Sequence, residues 1–569
     1  MTEDRRNIGT GWKIPCESYC DQPYVVKTDD GGWLCVLTTG NGVEGEPGQH
    51  VVSTKSFDQG KTWSKLTDIE PAGGPEASWV MPLKVTSGRV YAFYVYNGDN
   101  MRTVISDQGP CKRVDTLGYL AYKYTDDSGA TWSDKRYIVP MRKMRVDLEN
   151  PYEGKVMFFW GVGKPCITSR GVYIGMAKVG RFGHGFMTCS EGVFIHSDNI
   201  LTESDPAKIH WETLPDGDEG IKSPKGPIAE EHNLVEMADG SLYCTYRSTE
   251  GHNCHAYSRD GGHTWDGPQY ASYAPGGKLL KHPRAANFVR KFSNGKYLLW
   301  FHNHGGKWYE DRNPVWLCGG VEKDGFIHWS QPEIALYDDD IDNIRMSYPD
   351  FVEEDGRYFA TETQKHVARV HELDAAMLEG MWNQGVRADV AREALALELS
   401  GEMRSPGRQV DMPELPDLRE RGGITIELRA RFENLDAGQV LLDSRAEDGS
   451  GILLATTDRK TLRISLSDGR TENSWESDMG AVAKDAVQHI GIVIDGGPKV
   501  ITFIVDGVLC DGGDDRQFGW GRFSPFMREV TGTCTLKVAP KVNGSLSLVR
   551  IYTRALRTSE MVGNWRSGR

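Results

Sequence analysis

The sequence lacks any long hydrophobic run. No apolar stretch in it approaches the ~18 residues that a membrane-spanning helix needs. The first residues, Met1–Arg6, are rich in charge, and no apolar segment of the kind found in secretory signals follows them. We therefore expect a protein that works away from membranes. It would be cytoplasmic or, if a signal peptide has been removed, secreted.

Positive charge is also in short supply. Lysine and arginine together number 66, against 80 aspartates and glutamates, which gives a net charge of −14. A surface of that charge repels phosphate backbones, so nucleic acid is not an expected partner. Cationic side chains gathered at one place would then need a local reason. The length of 569 residues fits roughly two to four domains, and the composition is that of a globular protein.

No cysteine or histidine spacing is typical of a metal site. The eleven cysteines include no CxxC pair, and no loop has the spacing of a calcium-binding loop. We predict no cofactor and leave open a structural calcium ion in either domain. Buried free thiols in a reducing compartment are the simplest interpretation of the cysteines, and Cys16 and Cys20 are the best candidates for a local bridge.

An internal repeat organises the first two thirds of the chain. The pattern S/T-x-D-x-G-x-T-W occurs at Ser56–Trp63, Thr125–Trp132 and Ser258–Trp265. In such a turn, the aspartate accepts hydrogen bonds from nearby backbone N–H groups, glycine supplies a positive φ, and tryptophan packs the turn. The motif resembles the Asp-box of sialidase-like β-propellers. We therefore expect the three aspartates to be structural rather than catalytic.

The spacing of the boxes predicts the number of blades. Asp58 and Asp127 are 69 residues apart, Asp127 and Asp260 are 133 apart, and a worn copy at Asp324 follows 64 residues later. This period predicts an all-β, six-bladed propeller over residues 1–370, catalytic in role. Seven blades are the alternative if one long interval holds an extra blade.

The character of the sequence changes after the propeller. Residues 371–400 carry Ala, Leu, Glu and Met at helical spacing, which predicts a helical linker. From 401 to 569, short alternating strands return without Asp-boxes, as in Ile424–Phe432. This part resembles laminin-G or concanavalin-like β-sandwiches, for which an accessory role in carbohydrate binding or packing is the simplest interpretation.

The resemblance to sialidases implies an active site on the propeller axis. Glu231 and Arg247 match the stretch that carries a glutamate and an arginine in that family, and Arg284 matches a third arginine more loosely. Tyr348 matches the nucleophilic tyrosine. Two positions depart: no arginine precedes the first strand, where Asp21 stands instead, and His50 lies roughly where the acidic residue is expected.

These departures favour elimination over hydrolysis. Cleavage of a uronoside by elimination needs cations on the carboxylate, a base for the neighbouring proton, and a proton donor for the leaving oxygen. The groups that could supply them are His50, His232, Tyr348, Arg247 and Arg284. The chain is similar in this respect to propeller polysaccharide lyases, including those that cleave rhamnose–glucuronate linkages.

Other interpretations stay open. A sialidase-type hydrolase would use Tyr348 as nucleophile and Glu231 as its partner. A non-catalytic glycan-binding propeller would need no acid or base at all. Arg113 and Trp160 are further candidates for substrate binding, although Trp160 fits a blade core equally well. In each case the expected partner is an acidic oligosaccharide or polysaccharide, and the oligomeric state is open.

Overall fold

The structure, a computed structural model, describes residues 4–341 and 345–568. Within them the regular secondary structure is mostly β, which confirms the predicted all-β class. The α-helices are α1 (Arg145–Leu148), α2 (Ala375–Trp382) and α3 (Thr558–Arg566), and short 3-10 turns span Ile8–Thr10 and Pro206–Lys208. None of the helices in the described part of the chain is long and apolar enough to cross a membrane.

Six antiparallel sheets, each of four or five strands, follow one another through the described residues up to position 373. Their strands are β1 (Trp12–Ile14), β2 (Tyr19–Lys27), β3 (Trp33–Gly40), β4 (His50–Ser56), β5 (Thr67–Asp68), β6 (Ala77–Lys84), β7 (Val90–Tyr96), β8 (Tyr119–Thr125), β9 (Tyr137–Ile138), β10 (Phe159–Trp160), β11 (Cys166–Thr168), β12 (Gly171–Gly183), β13 (Phe186–Ser197), β14 (Glu212–Leu214), β15 (Glu230–Glu236), β16 (Leu242–Arg247), β17 (Cys254–Ser258), β18 (Gln269–Tyr270), β19 (Phe288–Lys291), β20 (Tyr297–Phe301), β21 (Val315–Lys323), β22 (Phe326–Trp329), β23 (Glu333–Leu336), β24 (Ser347–Glu354), β25 (Arg357–Thr363) and β26 (Ala368–Leu373).

Neighbouring sheets contact one another through their inner strands, as β15 does with β12 and β19, and β24 does with β19 and β2, and the series of sheets is called the sheet ring. Five of them begin with the strand nearest the centre, namely β2, β6, β15, β19 and β24, while in the third sheet β10 and β11 both pair with β12. Strand β2 contacts β6 on one side and β24 on the other, so the first and last sheets meet. The last sheet runs β24-β25-β26-β1, because the early strand β1 pairs with β26 at Trp12 and Val370.

The three Asp-boxes form the turns between the last two strands of their sheets. In the first box, Asp58 Oδ1 accepts hydrogen bonds from Ser56 Oγ at 2.8 Å and from the Thr62 N–H at 2.9 Å. The second and third boxes repeat these bonds around Asp127 and Asp260. The carboxylates are thus used to hold turns far from the centre.

Four innermost strands carry the same irregularity at the same point. Gln22, Trp79, Glu231 and Tyr348 have φ values of 52°, 60°, 59° and 47°, each at a break in strand register. A positive φ is unfavourable for residues with a side chain, and strained residues of this kind concentrate at functional sites. These four β-bulges mark one end of the sheet ring as the place to look for chemistry.

Two larger sheets form the rest of the chain. One joins seven strands, in the order β27-β39-β29-β34-β35-β36 with β37 beside β35, and the other joins six, in the order β28-β38-β30-β31-β32-β33. Apolar side chains from both sheets pack into one core, as in a β-sandwich. The strands are β27 (Leu395–Met403), β28 (Arg408–Asp411), β29 (Gly423–Phe432), β30 (Val440–Asp443), β31 (Gly451–Thr456), β32 (Leu462–Ser467), β33 (Glu472–Glu476), β34 (Val487–Asp495), β35 (Val500–Val505), β36 (Val508–Leu509), β37 (Gly521–Arg522), β38 (Thr535–Lys541) and β39 (Gly544–Tyr552).

The helical segment is shorter than residues 371–400, the range that the sequence predicts. Only α2 (Ala375–Trp382) is an α-helix there, because residues up to 373 belong to β26 and residues from 395 belong to β27. Strand pairing takes precedence over helix propensity at both ends of the segment. The sandwich packs closely against the sheet ring, and apolar residues of both parts share one cluster.

Candidate functional site

A narrow cavity opens at the end of the ring where the innermost strands bulge. Three of the four bulged residues line it. Its walls combine cations, two carboxylates and aromatic rings: Arg113, Arg247, Arg312, Arg345, Lys365, Glu44, Glu231, Trp79, Trp160, Phe186, Tyr309, Tyr348 and Met187. Five cationic side chains thus face one narrow cavity that holds two carboxylates, in a chain with a net charge of −14, and this arrangement suits an anionic ligand.

Tyr348 and Glu231 are bonded to each other in this cavity. Tyr348 Oη donates a hydrogen bond of 2.8 Å to Glu231 Oε1, and Arg247 Nη1 lies 2.8 Å from the same oxygen. Burial and the neighbouring carboxylate raise the pKa of the Tyr348 phenol well above its usual range. Burial also raises the pKa of Glu231, against the opposing charge of Arg247. A neutral phenol therefore faces a carboxylate that is placed to accept its proton.

A second carboxylate fixes the arginines. Glu230, the neighbour of Glu231, binds Arg247 Nε at 2.9 Å and Arg284 Nη2 at 2.5 Å. Although burial opposes it, these two guanidinium groups hold the pKa of Glu230 below its ordinary value. Arg284 also donates to the carbonyl of Met187 at 2.8 Å and is not among the residues that line the cavity. It therefore supports Arg247 rather than facing a ligand directly.

Lys365 organises the opposite wall. Its Nζ lies 2.5 Å from Asp21 Oδ2 and 3.0 Å from Glu44 Oε2. Against the effect of burial, Lys365 and Arg113 hold the pKa of Glu44 far below its usual value, whereas burial raises that of Asp21. Asp21 is 1% exposed and lies behind Lys365. It acts on the cavity through that lysine.

Arg312 and Tyr309 reach the cavity from the loop between β20 and β21. Arg312 donates to the Tyr309 carbonyl at 3.0 Å and to the hydroxyl of Ser347, the residue before Tyr348. Burial lowers the pKa of Arg312 from its usual value. At the rim, the half-exposed rings of Phe186 and Trp308 meet edge to face at 5.1 Å. The mouth is therefore aromatic and the interior cationic.

His50 and His232, expected to be catalytic, lie outside this cavity, and this corrects the expectation. His232 follows the bulged residue Glu231, and its ring stacks on Tyr246, at 4.5 Å between ring centres, and meets Phe194 edge to face. Burial lowers its pKa to about 3. His50 is 3% exposed at the start of β4, where its Nδ1 lies 3.1 Å from the carbonyl oxygen of Glu70.

A larger cavity, of about 620 Å³, lies at the other ends of the same innermost strands. Its two glutamates are already engaged, because Glu236 accepts hydrogen bonds from Ser169 and Glu353 accepts them from Ser293. Five cations also line it, namely Lys27, Lys84, Lys164, Arg290 and Lys291, but none of the four bulged residues does. The smaller cavity is therefore the better candidate for chemistry.

Comparison with known families assigns both parts of the chain. Residues 79–360 match the BNR repeat-like domain, and residues 405–561 match the concanavalin A-like lectin/glucanases superfamily. The chain therefore carries a BNR repeat-like domain followed by a concanavalin A-like domain. No curated protein matches the chain.

Several solved structures are similar to this chain. A protein of unknown function from Dyadobacter fermentans is 14% identical, with 64% of this chain and 98% of that chain covered and a TM-score of 0.46. A sialidase of Trypanosoma rangeli is 12% identical, with 97% and 94% covered and a TM-score of 0.42. A mutant of NanB sialidase from Streptococcus pneumoniae is 13% identical, with 64% and 70% covered and a TM-score of 0.43.

The BNR repeat-like domain thus brings together Tyr348, Glu231, Arg247, Arg113 and Trp160 of the residues that the sequence singled out. Sequence reasoning missed others. Glu44 lies in the glycine-rich loop that precedes His50, six residues before that histidine. Lys365 and Arg312 sit in turns without a recognisable motif. No cluster of three or more Asp, Glu, His or Cys side chains suited to a metal occurs in residues 4–341 and 345–568.

Proposed function

We propose that the cavity binds an acidic sugar at the end of a glycan and that the protein cleaves the adjacent glycosidic bond. The hydrogen bond of 2.8 Å between Tyr348 Oη and Glu231 Oε1 carries the proposal. Tyr348 is the nucleophile, and Glu231 takes its proton as the phenolic oxygen attacks the anomeric carbon. The bond to the leaving oxygen breaks, that oxygen takes a proton, and water then releases the sugar from the tyrosine.

The cations take the carboxylate of the sugar in this proposal. The cations that line the cavity are Arg113, Arg247, Arg312, Arg345 and Lys365. A bidentate guanidinium suits a planar carboxylate. Six blades around the axis, one for each sheet, would direct these side chains to one point. The proposal is supported by the number of cations around this cavity, in a protein whose net charge is negative.

Glu44 is the proposed proton donor to the leaving oxygen. In the free protein it is ionised, because Lys365 and Arg113 hold its pKa far below the usual value. A substrate carboxylate that binds these two cations would weaken their hold on Glu44. The pKa of Glu44 would then rise on binding, and it would become a proton donor when the sugar is in place.

A second candidate is elimination at a glucuronate, as in a rhamnose–glucuronate linkage. One observation favours it: with Glu44 ionised, the free cavity offers no strong carboxylic acid for hydrolysis. In elimination, a base removes the proton next to the carboxylate, a carbon–carbon double bond forms, and the bond to the leaving oxygen breaks as that oxygen takes up a proton passed on from the base or from water. Tyr348, with its proton passed to Glu231, would be that base, and the arginines would neutralise the carboxylate.

The deciding experiment incubates the protein separately with sialyl-lactose and with rhamnose-capped glucuronate oligosaccharides. Free sialic acid without new ultraviolet absorbance supports the hydrolase. An absorbing product, lighter by one water than the hydrolysis product, supports the lyase. Saturable binding of either glycan without any product indicates a non-catalytic binding module instead.

Matched variants tie the outcome to the cavity. Tyr348→Phe removes the phenolic oxygen and is expected to lower kcat by about a thousandfold or more. Tyr243→Phe is the control, because the Tyr243 hydroxyl is buried without a hydrogen-bond partner in the described residues and lies away from the cavity. Equal activity in the Tyr348 variant and the wild type would refute the assignment. A His50→Gln variant that loses activity would restore His50 as the base.

A further inference from the structure

The loop between β36 and β37 of the sandwich reaches across to the cavity loops of the sheet ring. This segment, residues 510–522, is called the docking loop below. Gln517 accepts a hydrogen bond of 2.8 Å from the Gly305 N–H through its carbonyl. Trp520 Nε1 donates to the Asn303 carbonyl at 2.8 Å, and Arg522 Nη2 donates to the Asn313 carbonyl at 2.5 Å.

These bonds hold both ends of one segment. Residues 303–313 connect β20 to β21 and include Trp308, Tyr309 and Arg312. The docking loop binds backbone atoms at 303 and 305 on one side and at 313 on the other. Phe518 adds a stacked contact with His304, at 4.8 Å between ring centres. On the cavity side, the Arg284 N–H donates a hydrogen bond of 3.1 Å to the Trp308 carbonyl, in the middle of the segment.

The docking loop also supports the neighbouring segment that carries Arg284. Lys281 Nζ donates to the carbonyls of Gly513 and Arg516, the latter at 2.8 Å. Arg284 follows Lys281 by three residues and holds Glu230, which in turn binds Arg247. Two of the segments that build the cationic wall therefore rest on the same part of the sandwich.

The docking loop is itself held firmly within the sandwich. Asp478 accepts hydrogen bonds from the N–H groups of Asp511 and Gly512, at 2.8 and 2.9 Å, and binds Arg516 at 2.8 Å. Trp475 Nε1 donates to the Gly519 carbonyl at 3.1 Å. These bonds satisfy backbone groups of the docking loop at positions 511, 512 and 519 within the sandwich. The loop can therefore act as a fixed support for residues 303–313.

Arg522 shows that this support carries an energetic cost. Its guanidinium is half-buried, binds the carbonyls of Pro498 and Asn313, and lies 5.4 Å from the centre of the Trp520 ring. Burial lowers its pKa to about 10, against the charge of Asp311. Partial removal of a cation from water is unfavourable, and bonds to carbonyls offset only part of that cost. Arg522 binds the end of the segment that carries Arg312. We relate this cost to the positioning of Arg312.

We propose that the concanavalin A-like domain is a positioning element of the active site. Its docking loop sets residues 303–313, and through them Tyr309 and Arg312, against the substrate. Phe518, Trp520 and Arg522 are positioning residues rather than catalytic ones, since they act through backbone atoms and His304. This inference rests on the proposed function for its effect on turnover, but its structural part can be tested without any substrate.

The test compares Arg522→Met and Phe518→Ala with Arg557→Met in the full-length protein. Arg557 spans the same two domains by pairing with Asp374, away from the docking loop, so its variant controls for a general loosening of the interface. Hydrogen–deuterium exchange is followed in peptides that cover residues 303–313. We expect exchange there to speed up by about tenfold in the first two variants and to stay at the wild-type rate in the control.

Steady-state kinetics on whichever acidic glycan is cleaved provides the second readout. Displacing Arg312 by a fraction of an ångström should raise KM by roughly tenfold or more, with a smaller effect on kcat. Unchanged exchange at 303–313 in both docking-loop variants overturns the inference. If the wild type cleaves no acidic glycan, the proposed function fails. The exchange result alone then decides whether the docking loop positions residues 303–313. Should Phe518→Ala not fold, Phe518→Leu replaces it.

Discussion

Lys365 lies over the ring of Tyr348, with its Nζ 4.3 Å from the ring centre, while the same amine contacts Asp21 and Glu44. The Lys365 amine thus contacts both the ring face of the proposed nucleophile, Tyr348, and the carboxylate of the proposed proton donor, Glu44. A cation in this position favours a developing negative charge on the phenolic oxygen. In the sequence, Lys365 is 17 residues from Tyr348 but more than 300 residues from Asp21 and Glu44.

Removal of that charge should weaken substrate binding. In Lys365→Met the side chain keeps its length but loses the amine, and we expect KM for an acidic glycan to rise by about tenfold to a hundredfold. The binding of a neutral glycan should not change. The matched control is Lys27→Met, which lies at the opposite ends of the innermost strands. Equal KM values for wild type and Lys365→Met would contradict the assignment.

The pH dependence of cleavage should report on Glu231. Burial raises its pKa above the ordinary value of 4.5, and only its ionised form accepts the proton of Tyr348. Activity should therefore fall as the pH drops through this raised pKa, so that the acid limb of kcat/KM lies above the range of an ordinary glutamate. The limb should disappear in the residual activity of Glu231→Gln. An acid limb unaltered in that variant would assign it to another group.

His232 should make the fold sensitive to acid. Its folded-state pKa, lowered by burial to about 3, lies below the unfolded value of 6.5, so the unfolded chain takes up the proton first. Stability should decline as the pH falls below 6.5, by roughly 3 kcal/mol on reaching pH 4. In His232→Phe this contribution is absent and the decline should be shallower. Urea unfolding at several pH values measures it, with exposed His210→Asn as the control; parallel slopes for all three proteins would count against the prediction.

Loss of an Asp-box carboxylate should affect stability and leave catalysis unchanged. Asp58→Ala removes hydrogen bonds to Ser56 and Thr62 and should cost about 1–2 kcal/mol of unfolding free energy. Asp127→Ala and Asp260→Ala should cost similar amounts, and since the three turns lie in different sheets the losses should add. Denaturant titration of the single and triple variants measures this. A selective fall in kcat in any of them would show a role beyond the turn.

Local motifs account for the part of the site that the sequence predicts. Glu231, Arg247 and Tyr348 were found because each lies in a short stretch that resembles the corresponding stretch of sialidases. The Asp-boxes likewise predicted turns that the structure contains at Asp58, Asp127 and Asp260.

The residues that the sequence did not predict depend on long-range geometry. Glu44, Arg312 and Lys365 meet only because loops of different sheets converge. Of the neighbours Glu231 and His232, only Glu231 lines the cavity, and the bulge at Glu231 decides this orientation. Register and bulges are set by packing between sheets, which a local pattern does not contain.

The pairing of β1 with β26 has a consequence for how the protein folds. Trp12 finds its partner at Val370, so the sheet that carries Tyr348 is completed by the first strand of the chain. During synthesis, Glu231 and Arg247 emerge more than a hundred residues before Tyr348. Strand β1 emerges earlier still and has no partner until β26 has been made. The ring therefore closes in a late, highly non-local step that is intrinsically slow. Until it does, an unpaired edge strand and half of a charged site stay exposed, so the incomplete ring is the state most open to strand pairing with another chain.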